Sequence, residues 1–245
     1  MIKDYLKGAL KSRLSEEQAK QFSHYRNRLR SPVWWGNLRK LKPVDDCWGF
    51  RRGLPIDRYY INAFMKRNQN HIQGRVLEIA EPWYIDLFGE GKVTQADILH
   101  VASAEPPATM MGNLETGEGI LENTYDCVIV TQTIQFIFNI RDGIENIKSS
   151  LKPGGVALIS APGISRRDPE ALGSYGEYWH YTNDSLERLF GEAFGHDQVQ
   201  VESFGNVLAA VAFLEGMSTK DLRPKELEFQ DPLYSIVHSV KAVKQ

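Results

Sequence analysis

Two apolar stretches decide the fold of this 245-residue chain: YDCVIVTQ at residues 125–132 and LKPGGVALIS at residues 151–160. Apolar runs without polar alternation are typical of strands that are covered on both faces, as in parallel sheets. The intervening residues 134–150 are long enough for a crossover helix, with isoleucines at helical spacing. Pro153 cannot continue that helix, and Gly154-Gly155 allow the chain to turn back into the sheet. The pattern predicts a β-α-β unit.

Shorter segments on either side extend this alternation of strands and helices. Further strands are predicted at residues 75–79, 93–97, 109–113, 199–204 and 234–243, and further helices at residues 58–65, 185–194 and 206–215. Asp57 is the predicted cap of the first of these helices. Thr182 or Asp184 caps the second, with Glu187 spaced from Asp184 as in a capping box. The alternation predicts an α/β fold.

The charge of the chain is divided near Arg75. Residues 1–75 contain 17 Lys/Arg against 6 Asp/Glu, and residues 76–245 contain 12 against 25, giving +11 and −13. We predict a basic N-terminal helical arm or lid at residues 1–74, with Leu6, Leu10 and Leu14 at helical spacing, and an α/β domain at residues 75–245. The arm could seat an anionic glycan, a membrane face or a partner protein, or it could only neutralise the acidic domain. Nucleic acid is not expected, because no matching signature accompanies the charge.

Several classes of protein are disfavoured by composition. No apolar run is long enough to span a bilayer, and the N-terminus has no signal-peptide pattern, which predicts a cytoplasmic protein. The two cysteines, Cys47 and Cys127, do not form a disulfide framework or a cysteine-rich metal site. No metal is predicted, because the following histidines lack ligand spacing: His24, His71, His100, His196 and His238.

Polar residues at the predicted strand ends are candidates for a ligand site. In open parallel sheets, ligands bind beyond the carboxyl ends of the strands, where the strand order reverses. Asp97 lies 19 residues after Glu78, at the predicted end of the second strand. A carboxylate there can accept hydrogen bonds from both ribose hydroxyls of an adenosine-containing ligand. A solvated loop aspartate is the other interpretation.

From about residue 76 to its C-terminus, the sequence resembles a class I S-adenosylmethionine-dependent methyltransferase. The resemblance is carried by VLEI at residues 76–79, Asp97, YDCVI at residues 125–129 and LKPGG at residues 151–155. It implies a Rossmann-like, doubly wound, mostly parallel seven-stranded sheet with an antiparallel closing strand, and S-adenosylmethionine as cofactor. The cofactor-binding residues predicted within the matched region are Glu78, Ala80, Glu81, Asp97, Ile98, Asn113, Leu114, Thr131 and Gln132, and Arg58 of the arm is predicted to join them.

The sequence departs from this family in its first motif. Where the family has a glycine-rich loop, this chain has AEPWY at residues 80–84. Pro82 removes an amide donor, and Trp83 adds bulk where the backbone should approach the cofactor. Either the cofactor is held by Asp97, the other strand ends and Arg58, or binding has been lost. Asn113 stands where the family often has an aspartate for the adenine amino group, and an amide oxygen can still accept that bond.

Two further segments, GLPIDRYY at residues 53–60 and YWHYT at residues 178–182, resemble a bacterial subgroup associated with glycosyltransferases and polysaccharide assembly. This resemblance implies O-methylation of a sugar or glycan-related small molecule, with a glycosyltransferase or a membrane face as a further partner of the basic arm. His180 is the predicted proton acceptor, with Glu177 in reserve; alternatively, His180 only packs beside Trp179. An aromatic cluster could stack on a sugar or pack a lid: Tyr175, Tyr178, Trp179 and Tyr181.

Two other functions remain as hypotheses. A cofactor-free binding or scaffold protein of a polysaccharide or secondary-metabolite pathway would explain the altered loop at residues 80–84. A nucleotide-dependent oxidoreductase is disfavoured, because a dinucleotide pyrophosphate requires the glycine loop that this chain lacks.

Overall fold

The computed structural model describes residues 15–30, 33–34 and 36–245, and the chain divides into two compact units, Met1–Leu41 and Lys42–Gln245. In the first unit, helix α1 spans Glu16–Arg30 and buries none of its residues. The helix predicted from Leu6, Leu10 and Leu14 lies outside the described residues. No helix in the described ranges has both the length and the apolar character needed to cross a bilayer.

The second unit alternates strands and helices. Its strands are β1 (Gly74–Ile79), β2 (Val93–His100), β3 (Met110–Met111), β4 (Tyr125–Thr131), β5 (Leu151–Pro162), β6 (Val199–Phe204) and β7 (Val237–Val243). Its α-helices are α2 (Ile56–Arg67), α3 (Trp83–Phe88), α4 (Ile140–Ser150), α5 (Asn183–Phe194), α6 (Val207–Leu214) and α7 (Pro224–Glu228).

The strands form one seven-stranded sheet in the order β3-β2-β1-β4-β5-β7-β6. The first five strands run parallel, and β7 pairs antiparallel with both β5 and β6. This arrangement confirms the predicted doubly wound, mostly parallel sheet with an antiparallel closing strand. The order reverses between β1 and β4, which places a ligand site at their carboxyl ends.

Both faces of the sheet are covered, as the unbroken apolar runs require. Successive side chains of a strand point to opposite faces, so Val76 and Leu77 belong to separate cores. Helices α2, α3 and α6 pack on the Val76 face, and helices α4 and α5 pack on the Leu77 face. Burial on both faces explains why β4 contains only apolar residues from Cys127 to Val130.

The boundary predicted at residue 74 is wrong, because α2 belongs to the core of the sheet unit. Ile56, Tyr60, Ile61 and Phe64 are at most 2% exposed and pack against the sheet. The division lies instead between Leu41 and Lys42.

Helix starts differ in detail from the prediction. Asp57 does not cap α2: the helix begins at Ile56, and Asp57 lies buried in its first turn. For α5, Thr182 is the cap, and its partner in the capping box is Ser185 rather than Glu187. Because the Ser185 hydroxyl oxygen accepts the Thr182 N–H at 3.0 Å, Glu187 is not needed there.

Two strand ends also differ. The predicted turn at residues 152–155 is a bulge inside β5, since Leu151 pairs with Tyr125 and Val156 pairs with Cys127. Strand β2 continues past Asp97 to His100. Because β2 is longer than predicted, Asp97 lies within the strand and not at the carboxyl edge of the sheet.

Candidate functional site

A cavity of about 860 Å³ lies at the carboxyl ends of β1, β2 and β4. This is the point at which the strand order reverses, where open α/β sheets bind ligands. Its volume falls within the roughly 300–1,000 Å³ that is typical of small-molecule sites. The cavity is therefore the candidate functional site.

Most of the predicted site residues line this cavity. From the predicted cofactor set they are Arg58, Glu78, Ala80, Glu81, Asn113, Leu114, Thr131 and Gln132, and from the aromatic set Tyr175 and Tyr178. Six predicted residues are not part of the lining: Asp97, Ile98, Glu177, Trp179, His180 and Tyr181. The topology thus brings the ends of β1, β3 and β4 together at the cavity, whereas the residues predicted from a wrong end of β2 or from the segment 177–181 are, except for Tyr178, outside the lining.

Glu78, at the end of β1, is a buried carboxylate in the cavity wall. It is 2% exposed, and it accepts hydrogen bonds from the backbone N–H groups of Tyr84 and Ile85, each at 2.9 Å. These amides belong to the first turn of α3, whose N-terminus favours a negative charge. Burial disfavours the charged form and raises the pKa of Glu78 to about 7. No salt bridge to Glu78 exists among the described residues.

The loop after β1 keeps a left-handed backbone without a glycine. Ala80 has φ 67°, a conformation that costs a non-glycine residue about 1–2 kcal/mol. Its N–H donates to the carbonyl of Leu99 at 2.9 Å, and the Glu81 N–H donates to the carbonyl of Ile79 at 2.9 Å. Since Pro82 has no N–H, the loop offers a ligand few free donors. The sequence departure therefore leaves this loop with few backbone donors for a ligand.

Arg58 brings the positive charge of the cavity. It is the only lysine or arginine in the described lining, and its Nε atom lies 3.9 Å from the Asp57 carboxylate. Burial raises the pKa of Asp57, and the nearby Arg58 opposes that rise. The Tyr84 hydroxyl is also buried in this region and lies next to the Arg58 guanidinium. Asp57, Arg58 and Tyr84 thus form a largely buried polar cluster beside the cavity.

The remaining charge of the lining is negative. Glu78, Glu81, Glu115 and Glu170 face a single arginine, Arg58. An excess of carboxylates favours ligands that carry positive charge. Among the described residues, no group of three or more His, Cys, Asp or Glu side chains is arranged to hold a metal ion.

Asn113 follows β3 and contributes to the wall beside Leu114. Its side-chain oxygen accepts the Glu115 N–H at 2.8 Å, which fixes the turn. An amide oxygen has two lone pairs, so one acceptor site remains for a ligand. Leu114 is buried and provides an apolar surface for a flat ring.

Asp97 is not at the end of its strand, and its predicted position is wrong. It pairs with Leu77 in the register of β1 and β2, three residues before His100. Its carboxylate accepts hydrogen bonds from Arg75 Nε at 2.8 Å and from the Gln95 amide at 3.2 Å. The carboxylate thus pairs with the half-buried Arg75, and Asp97 is not part of the cavity lining. Ile98 points to the opposite face and packs in the core.

Replacing Asp97 with alanine should therefore lower stability rather than cofactor affinity. Losing the partner of Arg75 is expected to lower the free energy of unfolding by about 1–3 kcal/mol. Urea denaturation would measure this loss, and calorimetry with S-adenosylhomocysteine should give an unchanged affinity. Gln95→Ala is the matched control, because it removes only the weaker contact. Unchanged stability with lost binding would restore the ribose-binding role.

An aromatic wall closes one side of the cavity. Phe136 and Tyr175 meet edge to face at 5.3 Å, and the Tyr178 hydroxyl donates to the Tyr175 carbonyl at 3.0 Å. Glu170 lies in the same part of the lining. Tyr175 and Tyr178 are about half exposed, so their rings are accessible to a ligand.

Trp179 and Tyr181 fix this wall in place. The Trp179 indole N–H donates to the Ile137 carbonyl at 3.0 Å, and the Tyr181 hydroxyl donates to the Ile134 carbonyl at 2.9 Å. Both acceptors lie in the connection between β4 and α4. These hydrogen bonds favour the alternative that the two residues pack a lid.

His180 and Glu177, the predicted proton acceptors, pair with each other outside the lining. His180 Nε2 lies 3.3 Å from Glu177 Oε1. The Glu177 carboxylate also accepts the Asp168 N–H at 2.6 Å and is only 5% exposed. The neighbouring Trp179 and Tyr181 are tied to the connection after β4. His180 and Glu177 are not among the residues that line the cavity.

Several lining residues were not predicted. His100 is the last residue of β2 and lies beside the cavity. The apolar pair Ile98-Leu99 before it indicates in the sequence that the strand continues past Asp97. Phe50 and Glu170 come from irregular segments, and no pattern in the sequence marks them. Besides Glu78, the lining contains His100, Glu170 and Glu81 as side chains of a type that can accept a proton.

No protein-family model and no curated protein matches the sequence. Among solved structures, the chain is similar to an S-adenosylmethionine-dependent methyltransferase from Mesorhizobium loti, at 11% identity and a TM-score of 0.50, covering 77% of this chain and 98% of that one. It is also similar to a methyltransferase from Archaeoglobus fulgidus, at 12% identity and a TM-score of 0.49, covering 76% and 94%. At these identities the likeness shows the fold alone.

Proposed function

We propose that this protein is an S-adenosylmethionine-dependent methyltransferase that methylates a hydroxyl group of a sugar or glycan-related small molecule. The observation that carries the proposal is the cavity at the reversal point of a methyltransferase-type sheet, lined by eight of the predicted cofactor residues. The sugar is supported by the sequence resemblance of residues 53–60 and 178–182 and by the accessible rings of Tyr175 and Tyr178.

The lining fits the charges of this cofactor. The buried Glu78 carboxylate, which has no cationic partner in the described structure, suits the ammonium and sulfonium groups. Arg58 suits the carboxylate. Leu114 and Asn113 suit the adenine ring and its amino group. At the carboxyl end of β2, the residue beside the cavity is His100 and not the predicted Asp97.

When bound, the cofactor supplies a methyl group on a positively charged sulfur. The residues of this chain then orient the acceptor and keep water away from it. A hydroxyl acceptor must also lose its proton, and Glu170 beside the aromatic wall is the proposed proton acceptor. This assignment replaces His180 and Glu177.

A second candidate is a cofactor-free binding or scaffold protein of a polysaccharide or secondary-metabolite pathway. It is favoured by the engaged N–H groups of Ala80 and Glu81 and by Pro82, which together leave the loop after β1 poor in donors. The first function is preferred because Arg58 can replace the missing donors for a carboxylate.

Calorimetry with S-adenosylhomocysteine separates the two functions. Saturable binding with one site per chain is the expected result, and ATP and NAD serve as control ligands that should bind weakly. Transfer of labelled methyl groups from S-adenosylmethionine to a panel of sugars and nucleotide sugars then identifies the acceptor. If none of the three ligands binds, the result favours the scaffold hypothesis over the methyltransferase. Preference for NAD would indicate an oxidoreductase.

A further inference from the structure

Helix α1 carries large apolar side chains that are exposed. Phe22, Tyr25 and Leu29 lie on one face at helical spacing and are 52%, 57% and 65% exposed. Trp34, a few residues beyond the helix, is 90% exposed. Large apolar side chains grouped on an exposed helix indicate an interaction surface.

The charge of the same unit is strongly positive. Residues 1–41 contain 10 Lys/Arg and 3 Asp/Glu, a net charge of +7, whereas residues 42–245 contain 19 and 28, a net charge of −9. On α1, Arg26 follows Phe22 by four residues and Arg30 follows Arg26 by four, so both flank the apolar face. The first unit attracts anionic surfaces, and the second unit repels them.

We propose that the unit Met1–Leu41 binds the surface of an anionic lipid bilayer. The face formed by Phe22, Tyr25 and Leu29 enters the boundary between head groups and acyl chains, and the arginines contact lipid phosphates. Tyrosine and tryptophan favour this boundary, which suits Tyr25 and Trp34.

A lipid surface accounts for these features better than a globular partner does. A stable protein interface buries about 800 Å² on each side, centred on a packed apolar core. The face of α1 offers only three large apolar side chains among many charges. Shallow insertion needs no more apolar area than this, because each Lys or Arg near an anionic surface adds about 1 kcal/mol.

Co-sedimentation of the full chain with vesicles tests the proposal. The vesicles consist of phosphatidylcholine alone or of phosphatidylcholine mixed with phosphatidylserine. We expect binding to the mixed vesicles at low salt, weaker binding at high salt and little binding to phosphatidylcholine. Equal binding to both compositions, or binding to neither, would overturn the proposal and leave a protein or nucleic acid as the partner.

Paired variants locate the surface. Arg26→Glu/Arg30→Glu should weaken partition into mixed vesicles by about tenfold or more, and Phe22→Ala/Leu29→Ala should weaken it at all salt concentrations. Lys220→Glu/Lys225→Glu changes the net charge equally on exposed residues of the other unit and should have little effect. An equal loss in this control would show that only total charge matters, and would contradict a site on α1.

Discussion

The Glu78→Gln variant is expected to lose a pH dependence of stability that the natural chain has. The pKa of Glu78 is raised from 4.5 to about 7 in the folded state. A raised carboxyl pKa means that the folded protein binds the proton more tightly than the unfolded chain does, so this contribution to stability is complete below pH 4.5 and is lost as the pH rises through about 7. The loss amounts to about 3 kcal/mol.

Urea denaturation across this pH range measures the effect as a difference between the natural chain and Glu78→Gln. The difference cancels the other titrating groups, and a glutamine oxygen can still accept the N–H groups of Tyr84 and Ile85. Glu81→Gln is the matched control, because Glu81 is exposed in the same cavity wall. Parallel curves for Glu78→Gln and the natural chain would show that Glu78 is charged and well solvated.

Ligand binding should show the opposite dependence on pH. A ligand that carries positive charge stabilises the ionised form of Glu78, so the affinity for S-adenosylhomocysteine rises as the pH rises through about 7. Glu78→Gln should remove this rise as well as part of the affinity. Calorimetry below and above pH 7 measures both effects.

The sheet could be predicted because its strands are apolar over their whole length. Runs such as residues 127–130 require cover on both faces, and this requirement alone implies an α/β fold. The predicted end of β2 is wrong because the Asp97 carboxylate interrupts the apolar pattern that marks a strand. Its partner, Arg75, is 22 residues away in the sequence. Only the register of β1 and β2 shows that this carboxylate is paired within the sheet.

The candidate site could be predicted where it follows from topology. Glu78, Ala80, Thr131 and Gln132 come directly after β1 and β4 or end them, and parallel strands bring such residues to one edge. The prediction for His180 rests on its chemistry and on its place among aromatic residues after β5. Its orientation depends on the hydrogen bond from Trp179 to the connection after β4, more than 40 residues earlier, and no local pattern encodes that contact.

The extent of the basic N-terminal arm could not be predicted from charge. Charge counts located a basic segment but extended it to residue 74, because α2 is also moderately basic. Ile56, Tyr60 and Phe64 lie at helical spacing and belong to the core, so apolar periodicity would have separated α2 from the arm. The charge of a segment indicates what its surface can bind, whereas the burial of its apolar residues shows to which structural unit it belongs.

Replacing Arg58 with alanine is expected to weaken the binding of S-adenosylhomocysteine by about a hundredfold. Arg58 is the only lysine or arginine in the described lining, and the loop after β1 has few free N–H groups to replace it for a carboxylate. Arg58→Lys keeps the charge but loses the planar pair of donors, so a loss of about tenfold is expected. Arg67→Ala is the control: it lies on the same helix, outside the cavity, in an exposed ion pair with Glu202.

The buried Asp57 decides how this result must be interpreted. Without Arg58, the pKa of Asp57 rises further, because burial already raises it and the opposing cation has gone. Some loss of stability is therefore expected in Arg58→Ala, and it could lower the apparent affinity indirectly. The double variant Asp57→Asn/Arg58→Ala removes the unpaired carboxyl, so stability should recover while binding stays weak. Recovery of both would show that Arg58 serves the fold, and would assign the ligand carboxylate to another part of the cavity.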